Sequence, residues 1–271
     1  MRSIVIAGAA GRMGKRLVDL VNAQDGAQVV GALEYSEHPS LGRDAGEVAG
    51  ISRLGIPLVG SFAELSENGA DVMIDFTAPQ VTLANLDWAV EASVAMVIGT
   101  TGMSVSEREQ LAQAAAKIPI VFAPNMSVGV NVLFKIAAEV AAILGDDFDV
   151  EILEAHHRLK KDAPSGTAVR LGEIVAETLG RDYQKDAVFT RHGFTGERTR
   201  REIGMQTLRA GDIVGEHTVM FGGMGERIEL IHRAHSRDNF AAGAVRAALW
   251  LEGRKPGLYD MQDVLGLREG R

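Results

Sequence analysis

The sequence predicts an α/β protein in which a doubly wound parallel sheet is followed by a second, α+β domain with an open mixed or antiparallel sheet. Three observations carry this expectation. Short apolar runs alternate with helix-like segments through the first half, strand-like runs dominate beyond about Asp149, and 271 residues suffice for two hydrophobic cores.

In chain order, the apolar runs Ser3 to Ala7, Gln28 to Leu33, Asp71 to Phe76, Ala95 to Ile98 and Ile118 to Phe122 read as buried parallel strands. The segments between them carry helix signals. Pro79 suits a first helical position, and Ser104 with Glu107 three residues later forms a capping box ahead of Leu111. Past Asp149, Ser165 to Leu179 places Ala168, Leu171, Ile174, Val175 and Leu179 on one helical face. Glu202 to Leu208, Ile213 to Phe221 and Arg227 to Ala234 follow, separated by Ala210-Gly211-Asp212 and by Gly222-Gly223-Met224-Gly225, and predict an antiparallel meander. A last helix runs through Phe240, Ala244, Ala247, Ala248 and Leu251 until Gly253 and Pro256-Gly257 stop it. Trp88 and Trp250 fall in helical patterns and read as packing residues.

Composition narrows the function. The chain contains no cysteine, which excludes disulfides, thiolate nucleophiles, cysteine-bound zinc and iron–sulfur clusters. A formal net charge of -8 argues against nucleic acid as a general partner. The N-terminus shows no secretory pattern, and the longest apolar stretch, Val128 to Leu144, is interrupted by Asn131, Lys135 and Glu139. The expectation is therefore a cytoplasmic protein without a membrane span.

Directly after the first strand, Gly8-Ala9-Ala10-Gly11-Arg12-Met13-Gly14 leads into a helix-compatible segment. Such a turn lets backbone N–H groups and a helix dipole face a pyrophosphate, as in Rossmann-like domains; a purely structural turn is the alternative, since these glycines do not follow the G-x-G-x-x-G spacing. Glu34 ends the second strand twenty residues beyond Gly14, where a carboxylate can bind adenosine ribose hydroxyls. Tyr35 follows where an arginine would pair with a 2′-phosphate, so the reading leans toward NADH over NADPH, although Arg12 and Arg43 could add charge. Later strands end at Thr77, at Gly99-Thr100-Thr101-Gly102 and at Ala123-Pro124-Asn125-Met126, turns that an open parallel sheet would gather around one ligand.

The segment Glu154-Ala155-His156-His157-Arg158-Leu159-Lys160-Lys161-Asp162-Ala163-Pro164-Ser165-Gly166-Thr167 concentrates cations ahead of a helix start in an acidic chain. Ser165, Gly166 and Thr167 can offer donors to an anion while lysine and arginine neutralise it, which fits a small dicarboxylate or a polyphosphate. A histidine and a lysine there can also deliver a proton as hydride arrives. A solvated basic loop is the competing interpretation. Zinc held by His156 and His157 is disfavoured, because adjacent side chains diverge and no H-E-x-x-H pattern accompanies them. His192, His217, His232 and His235 receive no functional role.

Taken together, these segments resemble the 4-hydroxy-tetrahydrodipicolinate (dihydrodipicolinate) reductase family over nearly the whole chain. Glu154 to Thr167 resembles its signature; Gly11-Arg12-Met13-Gly14, Gly99-Thr100-Thr101-Gly102, Asn125 with Ser127 to Asn131, and Arg209 to His217 also match. The resemblance implies an oxidoreductase of lysine biosynthesis with His156 as general acid/base and Lys160 as proton donor. It further implies that His157, Lys160, Gly166 and Thr167 hold the substrate carboxylates. The cofactor would contact Gly8, Ala9, Ala10, Gly11, Arg12, Met13, Glu34, Gly99, Thr100, Thr101, Ala123, Pro124, Asn125 and Met126. By the same likeness, residues 1–127 completed by 237–271 bind dinucleotide, 128–236 bind substrate and oligomerise, and the assembly is a homotetramer whose domains close during turnover. A non-catalytic dinucleotide-binding redox sensor and a dehydrogenase of another small carboxylate are the competing functions.

Overall fold

The computed structural model describes residues 1–65 and 69–268, so the last three positions of the predicted 237–271 segment lie outside the described residues. In chain order the elements are β1 (Arg2–Ala7), α1 (Arg12–Ala23), β2 (Ala27–Leu33), α2 (Ala45–Ala49), β3 (Leu58–Val59), β4 (Val72–Asp75), α3 (Pro79–Ala92), β5 (Ala95–Ile98), α4 (Val105–Ala114) and β6 (Pro119–Phe122). There follow α5 (Val128–Leu144), β7 (Asp149–His156), α6 (Gly166–Thr178), α7 (Tyr183–Asp186), β8 (Ala187–Val188), β9 (Ile203–Arg209), β10 (Gly215–Gly222) and β11 (Arg227–Ala234). The chain ends with α8 (Asp238–Trp250), β12 (Gly257–Tyr259) and α9 (Met261–Val264). It divides into two compact units, Met1–Val128 with Asp238–Arg271, and Gly129–Arg237.

The first unit is a parallel seven-stranded sheet in the order β12-β6-β5-β4-β1-β2-β3, with helices on both faces. Alternation of side chains along each strand feeds two cores. Ile4, Ile6, Ile74, Val97 and Val121 point to the face covered by α1 and α8, whereas Val5, Met73, Met96, Ile98 and Ile120 meet Leu86 and Ala89 of α3 and Leu111 of α4. The predicted helix starts are present. Pro79 opens α3, and Ser104 and Glu107 exchange side-chain and backbone hydrogen bonds at α4. The strand order reverses between β1 and β4, the place where doubly wound sheets hold ligands.

The second unit is a mixed five-stranded sheet, β11-β10-β7-β9-β8, with α5 and α6 against one face. This corrects the expected meander. β10 and β11 form an antiparallel hairpin, but β9 does not pair with β10: β7 lies between them, antiparallel to β10 and parallel to β9. β7 buries Val150 and Ile152 on alternate positions, so it competes for the centre of the sheet, while α6 provides a helical crossover on the way to parallel β9.

The expectation that no segment has membrane-spanning length is also corrected. Val128–Asp147, comprising α5 and a short 3₁₀ continuation, is by length and composition apolar enough to cross a membrane, with 20 residues at a mean hydropathy of 1.8. Its face of Leu133, Ala137 and Ala141 belongs to the core of the second unit. On another face Lys135 pairs with Glu139 at 3.2 Å.

Candidate active site

In the first unit the register aligns the C-terminal ends of the central strands, Leu33 with Ala7, Ala7 with Asp75, Asp75 with Ile98 and Ile98 with Phe122. The turns after them therefore line one edge of the sheet. Gly8 adopts φ +67, and Thr77 packs so closely that a Cβ on Gly8 would lie 3.0 Å from its methyl group. Gly14 is more constrained still, since a Cβ there would come within 2.1 Å of the Gly8 carbonyl oxygen. Gly11 caps α1 without any side-chain hydrogen bond, which leaves the helix start open to an anion. Over the same turn, the Ala10 N–H donates to Glu34 Oε2 at 3.2 Å. Tyr35 is exposed and meets His38 edge-on at 5.1 Å.

Asp75 organises the next two turns. Its fully buried carboxylate accepts from the Thr77 N–H (2.8 Å), the Thr77 hydroxyl (2.6 Å), the Asn85 amide (2.7 Å) and the Thr100 hydroxyl (3.3 Å). Thr100 also bonds Thr82 at 2.7 Å, so its side chain is committed to this network. A Cβ on Gly99 would strike the Phe76 ring at 2.2 Å. Thr101 is exposed, as are Arg12 and Pro124; Asn125 is half-buried and accepts the Ser127 N–H at 2.9 Å. Ala123 and Met126 differ from the rest, because their side chains are buried in the core and only their backbone could meet a ligand.

In the second unit, β7 ends at His156 and the following loop leads to the start of α6. Ser165 caps that helix, its Oγ accepting the Ala168 N–H at 3.2 Å, while Gly166 is exposed with open space where a Cβ would sit. Glu154, fully buried, receives His156 Nδ1 at 2.6 Å, the Ser165 N–H at 2.9 Å and two bonds from the Arg209 guanidinium at 2.8 and 2.9 Å. Burial pushes the Glu154 carboxyl up, but the bonds from His156, Arg209 and Ser165 outweigh it and bring the pKa down to about 2. Lys160 is held by Asp162 at 2.8 Å, and that contact lowers the Asp162 carboxyl. His157 is half-buried with an unpartnered Nδ1, and Thr167 is half-buried in the first turn of α6.

His217, to which the sequence reading gave no functional role, lies beside this cluster. Its Nε2 lies 2.9 Å from Ser165 Oγ, and its ring meets that of His156 edge-on at 5.3 Å. Burial, then repulsion from His156, pushes its pKa down to about 3, so it is neutral near pH 7. The alternation of β10 carried the signal: His217 shares a face with Val219 and Phe221. Glu154 and Arg209 were visible only as parts of motifs, because their pairing spans 55 residues.

The model of dihydrodipicolinate reductase, N-terminus, matches residues 2–126, and that of the C-terminus matches residues 129–265. The chain belongs to the dihydrodipicolinate reductase family. A 4-hydroxy-tetrahydrodipicolinate reductase of Geotalea uraniireducens (strain Rf4) is 59% identical over 268 residues, covering 99% of this chain and 100% of the relative. That of Geobacter sulfurreducens is 57% identical with the same coverage of both chains. Among solved structures, dipicolinate-bound dihydrodipicolinate reductase from Paenisporosarcina sp. TG-14 aligns with a TM-score of 0.76 at 25% identity, over 97% of this chain and 98% of that one. GenD2 from gentamicin A biosynthesis, in complex with NAD, shares the fold at 14% identity and a TM-score of 0.61, over 98% and 90%. Among dihydrodipicolinate reductases, then, this chain pairs a doubly wound first unit with a mixed-sheet second unit.

Proposed function

We propose that the chain reduces 4-hydroxy-tetrahydrodipicolinate to tetrahydrodipicolinate with NADH or NADPH, in the diaminopimelate route to lysine, as a cytoplasmic homotetramer. The observation that carries this reading is the grouping of His156, Lys160 and the Ser165-capped start of α6 on one continuous segment, in a chain of the reductase family. A donor-rich helix start suits a carboxylate, and the imidazole beside it suits proton delivery.

The first unit fits a dinucleotide because the α1 start lacks a side-chain cap and opens behind a glycine with positive φ. Gly8 to Met13 would hold the pyrophosphate, Glu34 the ribose hydroxyls, and Thr77, Gly99 to Thr101 and Ala123 to Met126 the remainder. When bound, the cofactor supplies the hydride. In the second unit, His157, Lys160, Ser165, Gly166 and Thr167 bind and orient the two carboxylates, the substrate displacing Asp162 from Lys160. His156 and Lys160 manage the proton as the ring is reduced. The exposed Tyr35 favours NADH, since nothing at that position pairs with a 2′-phosphate. Half-exposed Ile231 and fully exposed Met224, on and beside β11, give a second copy apolar surface to cover.

The test follows cofactor absorbance with and without freshly generated 4-hydroxy-tetrahydrodipicolinate, with pyridine-2,6-dicarboxylate as inhibitor. Substrate-dependent oxidation that the inhibitor suppresses is expected. Dinucleotide binding without turnover would instead mark a redox sensor. His156→Gln and Lys160→Ala should each depress turnover far more than NADH binding, and mass measurement by light scattering checks the tetramer.

A further inference from the structure

We infer that Glu154 is a positioning residue, whose buried carboxylate fixes the tautomer and ring orientation of His156 and ties it to the start of α6. The inference rests on the proposed role of His156 and adds the group that prepares it.

A carboxylate accepts hydrogen bonds and donates none, so the 2.6 Å contact places the proton on His156 Nδ1 and leaves Nε2 to exchange the second proton. The carboxylate is itself held from several directions. Oε1 takes the Ser165 N–H, one Arg209 nitrogen at 2.9 Å and the Thr207 hydroxyl at 3.4 Å, while Oε2 takes the other Arg209 nitrogen at 2.8 Å. These bonds oppose rotation of the carboxylate, which in turn restrains the imidazole. On its other side the ring lies over Gly215, where an added Cβ would sit 3.0 Å from Nε2. Arg209 also donates to the Asp162 carbonyl at 2.6 Å, so the loop carrying Lys160 is anchored to the same ion pair. One buried acid thereby sets the placement of the imidazole, the first donor of the anion-binding helix start and the lysine loop. Among the described residues, the charged and titratable groups linked to His156 are Glu154 on its own strand and His217 on β10 directly, and Arg209 on β9 with Asp162 and Lys160 on the loop through Glu154.

The test uses the full-length protein labelled with ¹⁵N-histidine, His156 being assigned by the signal lost in His156→Gln. Whenever the ring carries a single proton, wild type should show it on Nδ1 of His156, and Glu154→Gln should shift it toward Nε2. Turnover of Glu154→Gln should fall roughly 100-fold or more, as when the carboxylate behind a catalytic imidazole becomes an amide. If Glu154 acts through His156, the double variant Glu154→Gln/His156→Gln is no slower than His156→Gln alone. Gly215→Ala provides a variant that keeps every partner of Glu154 and only crowds the ring, and it should also slow turnover. An Nε2–H tautomer in wild type, or multiplying losses in the double variant, overturns the inference. If His156→Gln turns over normally, the proposed catalytic role is what fails, while the tautomer measurement still decides whether Glu154 orients the ring.

Discussion

Asp75→Ala removes the acceptor shared by the Thr77 and Thr100 turns of the first unit. Thr100 keeps Thr82 as a partner at 2.7 Å, and the Thr77 hydroxyl retains a longer contact to Thr82 at 3.4 Å. The Thr77 N–H and the Asn85 amide lose the acceptor that held them at 2.8 and 2.7 Å. Two buried donors left without an acceptor cost about 2–6 kcal/mol. Thr77 is half-buried, so water recovers part of this, and a loss of about 3 kcal/mol is expected. For a unit of this size that lowers Tm by about 6–12 °C. Asp75→Asn retains an acceptor for Thr77 and should lose less. Circular dichroism melting measures both variants, and titration with NADH should show weakened binding in parallel, because the freed turns are the proposed cofactor contacts. A Tm for Asp75→Ala within about 2 °C of wild type would refute the reasoning, since it corresponds to under about 1 kcal/mol.

Further outcomes follow from the same geometry. Tyr35→Arg should raise NADPH affinity relative to NADH; parallel titrations showing no gain would rule out this position as the discriminator. Gly14→Ala should unfold at a markedly lower temperature than Gly166→Ala, because the new Cβ meets the Gly8 carbonyl in the first and open space in the second. Acid should destabilise the second unit through two groups with depressed pKa values. His217 contributes stability present above its unfolded value of 6.5 and lost as pH falls toward about 3, whereas Glu154 contributes stability present above 4.5 and lost toward about 2. Between these two unfolded values only His217 of the pair contributes a slope, so His217→Gln should flatten the Tm profile there and leave a shallower decline below pH 4.5 that Glu154 carries.

The first unit was the more legible because its signals are local. A run such as Ala95 to Ile98, buried on both faces, announces a parallel strand, and Ser104 with Glu107 announces a helix start; neither needs information from elsewhere in the chain. The second sheet is set by competition among distant strands. Only the pairing itself reveals that β7 separates β9 from β10, and the turn Ala210-Gly211-Asp212 looks locally like a hairpin. The site divides in the same way. The cations and donors of Glu154 to Thr167 could be read from their crowding, but the acid that arranges them could not, because Arg209 and Thr207 reach Glu154 from β9. His217 hid for a further reason: a histidine alternating with Val219 and Phe221 has the pattern of a packed core residue, which it also is.

The discontinuity of the first unit carries a consequence for biogenesis. Its face lined by Ile4, Ile6, Ile74 and Val121 is covered in part by Ala241, Ala244, Val245 and Ala248 of α8, which emerges from the ribosome more than a hundred residues after β6. The second unit, continuous from Gly129 to Arg237, has all its strands available earlier and can fold during synthesis, while the older half waits with apolar surface uncovered. A nascent chain arrested before Asp238 should therefore engage chaperones through its first half and release them once α8 has docked.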